Sequence, residues 1–499
     1  MLLWVFSATI LLMKIQIVMP EYVQRVGKAL IDAGFKCYLV GGAVRDIVLG
    51  KEPNDFDLAS DALPEEVMKI FPKSVSVGAK FGTVIVLSKD EEGENMEVEV
   101  TTFRSESDYV DGRWPSKVEF VKEIDKDLGR RDFTINAMAL DLSSNELDLK
   151  EDLKEWNIYD PFDGQKDLDM KLIRAVGTPI ERFKEDGLRA FKACRLAAQL
   201  QFEIEKDTLE AIKEAIPVAQ QVSMERIRDE FMKMLLKSPQ PSVGIDLMRE
   251  TGLLQIFIPE LLEGYGVEQK LFHTHDVYWH SLRTCDVAHD SVKLAALFHD
   301  IGKARTDMGN GHFYGHDRVS AEMAEDIMKR MKFSNTDIQK VSILIRNHMF
   351  YYPHLKEDMS QKEKENIEMH KWTDAAVRRF VQRVGEENIE DLFRLRIADA
   401  ESNPNSDFKP EEITELQKRI SKVLEEDMAF KVTDLKITGE DLASIGIEKG
   451  PEMGKILHEL LEMALDDPLV NTKERLLEEA KKTKESKTEQ DAHLDRNPK

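Results

Sequence analysis

The stretch Tyr38-Leu39-Val40-Gly41-Gly42-Ala43-Val44-Arg45-Asp46, continued by Asn54-Asp55-Phe56-Asp57-Leu58, decides how the first third of this 499-residue chain is read. The apolar run predicts a short strand, the two glycines a turn, and Val44-Arg45-Asp46 the opening of a helix. Glycines between a strand and a helix let backbone N–H groups close on a phosphate, helped by the helix N-terminus. On its own such a pair is usually only a turn. In a strand, residues two apart share a face, so Asp55 and Asp57 present two carboxylates side by side. These repel unless a cation lies between them, and Mg²⁺ favours one or two carboxylates together with phosphate oxygens. A solvated pair would be the better reading of Asp-x-Asp alone, but not directly after Gly-Gly-Ala-Val-Arg-Asp.

Working outward, Met96 to Arg104 alternates cleanly and places Glu97, Glu99 and Thr101 on one face of a strand. Glu99 is either a third carboxylate near the metal or a solvent-facing strand residue. Arg130-Arg131-Asp132-Phe133-Thr134-Ile135-Asn136-Ala137, if helical, puts Asp132 and Asn136 on one face. Arg131 at its mouth suits a triphosphate or a ribose. Glu185-Asp186-Gly187-Leu188-Arg189 then runs through Lys192 and Arg195 into an alanine-rich helix. Asp186 and Arg189, three apart on a helix, would form one polar edge. A carboxylate accepts from an exocyclic amine while a guanidinium donates to the adjacent ring nitrogen. Cytosine and adenine offer that pattern; uracil and guanine offer the reverse. Without the upstream motifs the pair would read as an ordinary i, i+3 salt bridge.

Gly41 to Asp57, Arg130 to Ala137, Asp160-Pro-Phe-Asp-Gly164 through Arg174, and Glu185 to Leu200 together resemble successive motifs of class II CCA-adding enzymes and bacterial poly(A) polymerases. Ser223-Met-Glu-Arg226-Ile-Arg-Asp-Glu230 resembles the neck motif that follows them. The resemblance covers residues 20–240. It implies that Asp55 and Asp57 bind Mg²⁺ and activate the tRNA 3′-hydroxyl. It further implies that Gly42, Arg45 and Arg131 hold the triphosphate or ribose, that Asp186 and Arg189 read the base, and that Asp132, Lys192 and Arg195 also meet the nucleotide. Lys192 departs from the family, which often has arginine there, and lysine lacks the planar fork.

Farther along, Trp279-His280-Ser-Leu precedes an apolar segment ending in Leu297-Phe298-His299-Asp300-Ile301-Gly302-Lys303. Gly315-His316-Asp317, Arg346-Asn347-His348 and Ala398-Asp399-Ala400 follow, and seven of the twelve histidines lie between 273 and 316. Adjacent His and Asp at a helix end supply an imidazole and a carboxylate to one ion, which distant residues complete. This segment resembles the HD phosphohydrolase superfamily. The likeness implies a metal set of His280, His299, Asp300 and Asp399, extended by His316 and His348 as in two-metal members. It implies a divalent transition metal such as Mn²⁺, Ni²⁺ or Fe²⁺, and phosphatase or cyclic phosphodiesterase action on RNA ends. A degenerate, structural HD domain is the competing reading.

Composition bounds the rest. With 42% hydrophobic and 33% charged residues the chain reads as soluble and helix-rich, and its length implies two to four domains. A formal charge of −24 argues against a general nucleic-acid binder, so any RNA site must be a local basic patch. Arg378, Arg379, Arg383, Arg394 and Arg396 form one candidate; Arg226, Arg228, Lys233 and Lys237 form another. Solvated helix faces are the plain alternative for both. Three widely spaced cysteines fit reduced thiols and a cytoplasmic protein. The apolar run Leu2 to Met13 is too short to span a membrane and has no basic residue before it, so residues 1–19 read as an unstructured extension, with a membrane-directing segment as the alternative. The expected fold is α+β and multidomain. A mixed-sheet nucleotidyltransferase head (20–160) leads to an all-α neck (161–265), an HD domain (266–402), a helical tail (403–480) with a glycine-punctuated hairpin around Gly446 to Gly454 that would grip tRNA or merely pack, and a disordered C-terminus (481–499).

The first functional expectation is therefore addition of C, C and A to tRNA from CTP and ATP. The second is poly(A) polymerase, or an A-adding enzyme with a separate CC-adding partner, distinguished by a flexible loop around Glu106 to Lys117. A third, from another class, is a phosphohydrolase whose N-terminal half serves as an RNA platform. A purely non-catalytic RNA-binding protein fits worst.

Overall fold

In the computed structural model, residues 14–494 are described apart from 18, 54, 78–81, 91, 111–113, 145–153, 270–274, 310–311, 351–359, 361, 363–371, 404–410 and 426–430. The chain divides into two compact units, the first formed by residues 1–262 with 330–332 and the second by 263–329 with 333–499.

The first unit is built on strands β1 (Lys14–Ile17), β2 (Cys37–Val40), β3 (Asp57–Ser60), β4 (Ser74–Ser76), β5 (Thr83–Lys89), β6 (Asn95–Thr102), β7 (Arg104–Val110), β8 (Trp114–Phe120), β9 (Ala139–Asp141) and β10 (Lys154–Tyr159). Eight of them form one sheet in the order β1-β10-β9-β2-β3-β6-β5-β4. Its one parallel pair, β3 with β6, makes the sheet mixed, as the sequence led us to expect. The alternation read along β6 holds: Val98, Val100 and Thr102 are buried while Glu97 and Glu99 face outward. This parallel ladder aligns Asp57 with Glu99. Helices follow the sheet, among them Leu188–Leu200, Met224–Lys237 and Pro241–Thr251, packed through Phe191, Phe231 and Phe257.

Two expectations change here. Part of the supposed extension is structured, because β1 pairs antiparallel with β10 along its whole length. Within Glu106 to Lys117, residues 106–110 and 114–117 belong to the antiparallel strands β7 and β8, while 111–113 and the side chains of 106–117 lie outside the described residues.

The second unit is helical, and its helices Val277–Val287, Lys293–Phe298, His316–Arg330, Asn335–Asn347, Asp374–Val384 and Glu386–Glu401 surround a core that includes Phe298, Leu344, Phe380 and Leu392. A separate apolar cluster, including Leu442, Leu460, Leu465 and Leu476, organises helices Pro451–Asp466 and Lys473–Leu494. The expected disordered C-terminus is thus helical through Leu494. Strong helix formers, no glycine or proline before Pro498, and ion pairs of Lys482 with Glu478 and Glu479 account for this.

Candidate functional sites

In the first unit, β2 delivers the chain to Gly41, whose φ of +77° suits glycine. A Cβ there would stand 3.1 Å from the Arg131 guanidinium and 3.8 Å from Asp57 Oδ2, so the turn brings backbone, cation and carboxylate together. Asp57 opens β3 and Asp55 lies just before it, exposed. Burial, the Glu99 charge across the ladder and Asp55 raise the Asp57 carboxyl to about 6, against the opposing pull of Arg131. Two further carboxylates thus act on Asp57 by their charge, Glu99 from the paired strand and Asp55 from two residues earlier, and a divalent cation would relieve that repulsion. Tyr22 packs edge-on against Phe56, and burial together with the Asp55 charge raises its hydroxyl.

Arg131 is held by a residue that motif reading missed. Asp127, fully buried, accepts from Arg130 Nε at 3.0 Å and Nη2 at 2.8 Å, and from Arg131 Nη2 at 3.2 Å. Burial opposes its charge, yet the two guanidiniums lower its carboxyl. Arg131 Nε is itself buried without a partner. The segment after it is not an α-helix: only Thr134–Asn136 turns, as a 3₁₀ helix, since Phe133 bridges Ala175 as a short strand contact. Asp132 nevertheless accepts from Asn136 Nδ2 at 3.2 Å and lies 3.6 Å from Lys192 Nζ. Arg45, buried, donates to Asn136 at 2.9 Å and pairs with Asp46 at 2.8 Å. Gly42 begins the helix Gly42–Val48 next to that guanidinium.

The expected base-reading edge is arranged differently from the sequence-based picture. Asp186 lies in extended backbone between helices Pro179–Glu185 and Leu188–Leu200, because its carboxylate bonds the Leu188 amide at 3.0 Å instead of continuing a helix. Its other oxygen accepts from Arg226 at 2.8 Å. Arg189 is engaged by several other acceptors. It donates to Glu185 at 2.6 Å and to the carbonyls of Arg182 and Arg130 at 3.0 and 2.9 Å. Arg195 bonds Glu230 at 2.7 Å and Gln199 at 2.8 Å, which makes it a brace between helices rather than an open ligand.

In the second unit all six anticipated ligands meet. His280 Nε2 is 3.3 Å from His299 Nε2 and 3.1 Å from Asp399 Oδ1. Asp300 places Oδ2 3.2 Å from His299 and Oδ1 3.2 and 3.7 Å from His316 and His348. Two groups of metal-holding geometry result: His280, His299 and Asp399; and Asp300, His316 and His348. The Nδ1 atoms of His299, His316 and His348 face the carbonyls of Ala296, Phe313 and Ile345 at 2.8, 2.6 and 2.7 Å, while His280 Nδ1 is 3.3 Å from Ser402 Oγ. Those acceptors hold the Nδ1 proton and leave Nε2 as the donor atom. Asp300 Oδ1, His316 Nε2 and His348 Nε2 are buried without hydrogen-bond partners, which a metal would supply. Gly302 is required for packing: a Cβ would stand 2.6 Å from the Ser320 amide and 3.0 Å from the His316 carbonyl. Burial disfavours a cation on His299, yet Asp300 and Asp399 raise it to about 10. Lys303, at 2.6 Å from Asp300, and Arg396, at 2.8 Å from Asp399, flank the cluster.

Most side chains of the two basic runs have acidic or carbonyl partners. Arg378 donates to Leu465 and Asp466 carbonyls, Arg379 pairs with Glu462 and Asp466, Arg383 bonds Asn347, and Arg394 pairs with Glu390 and Asp391. Arg226 and Arg228 pair with Asp186 and Asp229, and Lys233 is 3.6 Å from Glu230. All three cysteines are free and buried. No helix among the described residues is long and apolar enough to cross a membrane.

Comparison with known proteins places this geometry in context. Family models match residues 37–174 ("Poly A polymerase head domain"), 201–264 ("Probable RNA and SrmB- binding site of polymerase A") and 316–480 ("tRNA nucleotidyltransferase domain 2"). The chain is 34% identical to the CCA-adding enzyme of Enterococcus faecalis over 451 residues, 90% of this chain and 92% of that one. It belongs to the CCA-adding enzyme family. With the CCA-adding enzyme of Streptococcus gordonii it shares 44% identity over 240 residues, 48% of this chain and 55% of that relative. The chain therefore spans about half the length of such relatives, and their activity passes to it only as a proposal. The crystal structure of the Bacillus stearothermophilus CCA-adding enzyme in complex with CTP matches with a TM-score of 0.65 at 25% identity, covering 95% of this chain and 100% of that one. The α+β, multidomain architecture agrees with that of the family.

Proposed function

We propose that this chain is a template-independent tRNA nucleotidyltransferase that adds C, C and A to tRNA 3′ ends from CTP and ATP. The observation that carries this reading is the placement of Asp57, paired with Glu99 across β3 and β6, beside the Gly41 turn and the Arg131 guanidinium. The carboxylates would hold Mg²⁺, whose charge would offset that of the triphosphate and of the attacking hydroxyl as two-ion sites do. In the reaction, the RNA 3′-hydroxyl oxygen bonds the α-phosphorus, the bond to pyrophosphate breaks, and the hydroxyl proton leaves. Arg131, oriented by Asp127, supplies fixed positive charge beside the Gly41 turn. Asp186 keeps lone pairs for an exocyclic amine even while bonded to Arg226 and the Leu188 amide, since a carboxylate has about four acceptor positions. Arg189, clamped by Glu185 and two carbonyls, is a rigid donor for the ring nitrogen. Lys192 and Asp132 stand next to this edge, whereas Arg195 supports the helix that carries it.

We further propose that the six-residue cluster holds one or two divalent transition metals and makes the second unit a phosphohydrolase acting on RNA ends. Four imidazoles beside two carboxylates suit Mn²⁺, Fe²⁺ or Ni²⁺ better than Mg²⁺. The hydrolysis adds water to phosphorus, breaks the P–O bond to the ribose, and returns a proton to the leaving hydroxyl.

The test is incorporation of each labelled nucleotide into tRNA lacking its 3′ CCA, with Mg²⁺, by wild type and by Asp55→Ala. Two C residues followed by one A, lost in the variant, is the expected result. Long A tails, or A only after CC, would move the chain to the poly(A) or A-adding reading, and no incorporation would overturn the transferase reading.

A further inference from the structure

Among the described residues of the whole chain, four large apolar side chains are the most exposed: Tyr314 at 75%, Leu469 at 73%, Met308 at 69% and Met349 at 62%. Three of these four lie in the two segments that deliver His316 and His348 to the buried cluster. Tyr314 precedes His316 by two residues and Met349 follows His348 directly. The rings of those two histidines are 5.4 Å apart, so the segments meet at the cluster. Leaving a tyrosine so exposed forfeits the burial that an aromatic ring ordinarily gains. Tyr314 is not randomly disposed, however. Its ring lies nearly parallel to His312, with centroids 5.6 Å apart and 14° between planes. Phe313, between them in sequence, points the other way, its ring 5.7 Å from Lys303 Nζ, which in turn is 2.6 Å from Asp300. The segment thus turns one aromatic side chain toward the cluster and presents two, stacked, to solvent. Two residues of chain span at most about 7 Å, so the Tyr314 backbone stands near that of His316.

We propose that Tyr314, backed by His312 and bordered by Met308 and Met349, is a stacking platform for the base of a nucleoside phosphate ester whose phosphate lies at the histidine–carboxylate cluster. The inference rests on the phosphohydrolase reading for its chemistry and deepens it by naming the side chains that would hold the substrate's base. An aromatic face accepts any base and favours the larger purine, so the site selects nucleotides over other phosphate esters without reading Watson–Crick edges. A free mononucleotide and the terminal nucleotide of an RNA present the same chemistry here.

The experiment uses the full chain loaded with Mn²⁺, and compares kcat/KM for adenosine phosphate esters, for an RNA oligonucleotide bearing a terminal phosphate, and for glycerol 2-phosphate. In Tyr314→Ala the ratio of either nucleotide substrate to glycerol phosphate is expected to fall about tenfold, chiefly through KM, while Tyr314→Phe retains it. A fall for the oligonucleotide alone would assign the platform to RNA ends, and a fall for both to nucleotides generally. Unchanged ratios in Tyr314→Ala would overturn the platform while leaving the phosphohydrolase intact. If no ester is hydrolysed, the phosphohydrolase reading fails. Equilibrium binding then decides the platform separately: adenosine monophosphate must bind more weakly to Tyr314→Ala than to wild type, with ribose 5-phosphate equal for both, or the proposal falls.

Discussion

Replacing Asp127 by Asn should cost stability and nucleotide affinity together, because one buried carboxylate both satisfies two guanidiniums and aims one of them at the site. Its side chain has no exposure, and the Arg130 and Arg131 side chains are 16% and 18% exposed. Breaking a buried ion pair by removing one partner costs about 3–5 kcal/mol. Water reaches both arginines in part, which reduces the expected cost to about 2–3 kcal/mol. The loss should show as an earlier unfolding transition of the first unit in urea at pH 7, followed through Trp156, a buried reporter on β10. The sign with pH follows from the lowered carboxyl of Asp127. A depressed folded-state value stabilises above the unfolded value near pH 4, and that contribution disappears as pH falls through the folded one. Wild type and variant should therefore converge below about pH 4. In the incorporation assay KM for CTP should rise roughly tenfold, since Arg131 loses its anchor and becomes free to swing toward Asp57. A transition shifted by under about 0.5 kcal/mol, within the range of ordinary surface substitutions, would refute the positioning argument, as would an unaltered KM.

Other expectations follow from the same geometry. Ionised Asp57 is repelled by Glu99 and Asp55 and partly desolvated. Its raised carboxyl stabilises the fold below about pH 4 and loses that contribution as pH climbs through about 6. Asp57→Asn should accordingly abolish incorporation yet stabilise the metal-free protein at pH 7 by about 1–3 kcal/mol, and calorimetry in EDTA showing a destabilised variant would contradict this. Glu99→Gln should displace the acid limb of the Mg²⁺-limited rate to lower pH, and an unmoved limb would remove Glu99 from the site. Arg226→Ala frees one Asp186 oxygen and should lower discrimination against UTP and GTP by about tenfold, read from the kcat/KM of all four nucleotides. Asp300→Asn should eliminate transition-metal loading of the second unit, measured by metal analysis after dialysis, while CTP incorporation continues; retained metal would exclude Asp300 as a ligand.

How much of this was legible in the sequence depends on the distance over which each feature is decided. The Gly41–Gly42 turn and the alternation of β6 are local, and the structure reproduces both. Asp127 was locally available too, four residues before Arg131, but no motif draws attention to a buried acid whose partners are the motif itself. The helical spacing of Asp186 and Arg189 misled as to backbone only, because the Asp186 carboxylate bonds the Leu188 amide and leaves Asp186 itself extended. The C-terminus misled for the opposite reason. Polar composition suggested disorder, but the same lysines and glutamates are good helix formers, and the preceding turns of that helix are fixed by Leu476 and Ala480 in an apolar cluster.

The arginine patches and the histidine cluster show why residue type matters more than count. An arginine forms a bond wherever an acceptor lies within reach of its long side chain, so in a chain of charge −24 most basic runs are consumed by neighbouring acids. Clustering of positive charge in sequence therefore said little about free positive charge on the surface. Histidine next to aspartate at a helix end has fewer uses. Burying four imidazoles and two carboxylates within hydrogen-bond range of one another forfeits their hydration, and even here Asp300, His316 and His348 retain unpartnered polar atoms. A fold core gains nothing from such an arrangement that leucine would not provide more cheaply, whereas coordination uses every one of those atoms. That asymmetry is why these six side chains, drawn from separate helical segments, could be singled out in advance as candidate ligands, although nothing local in the sequence brings them together.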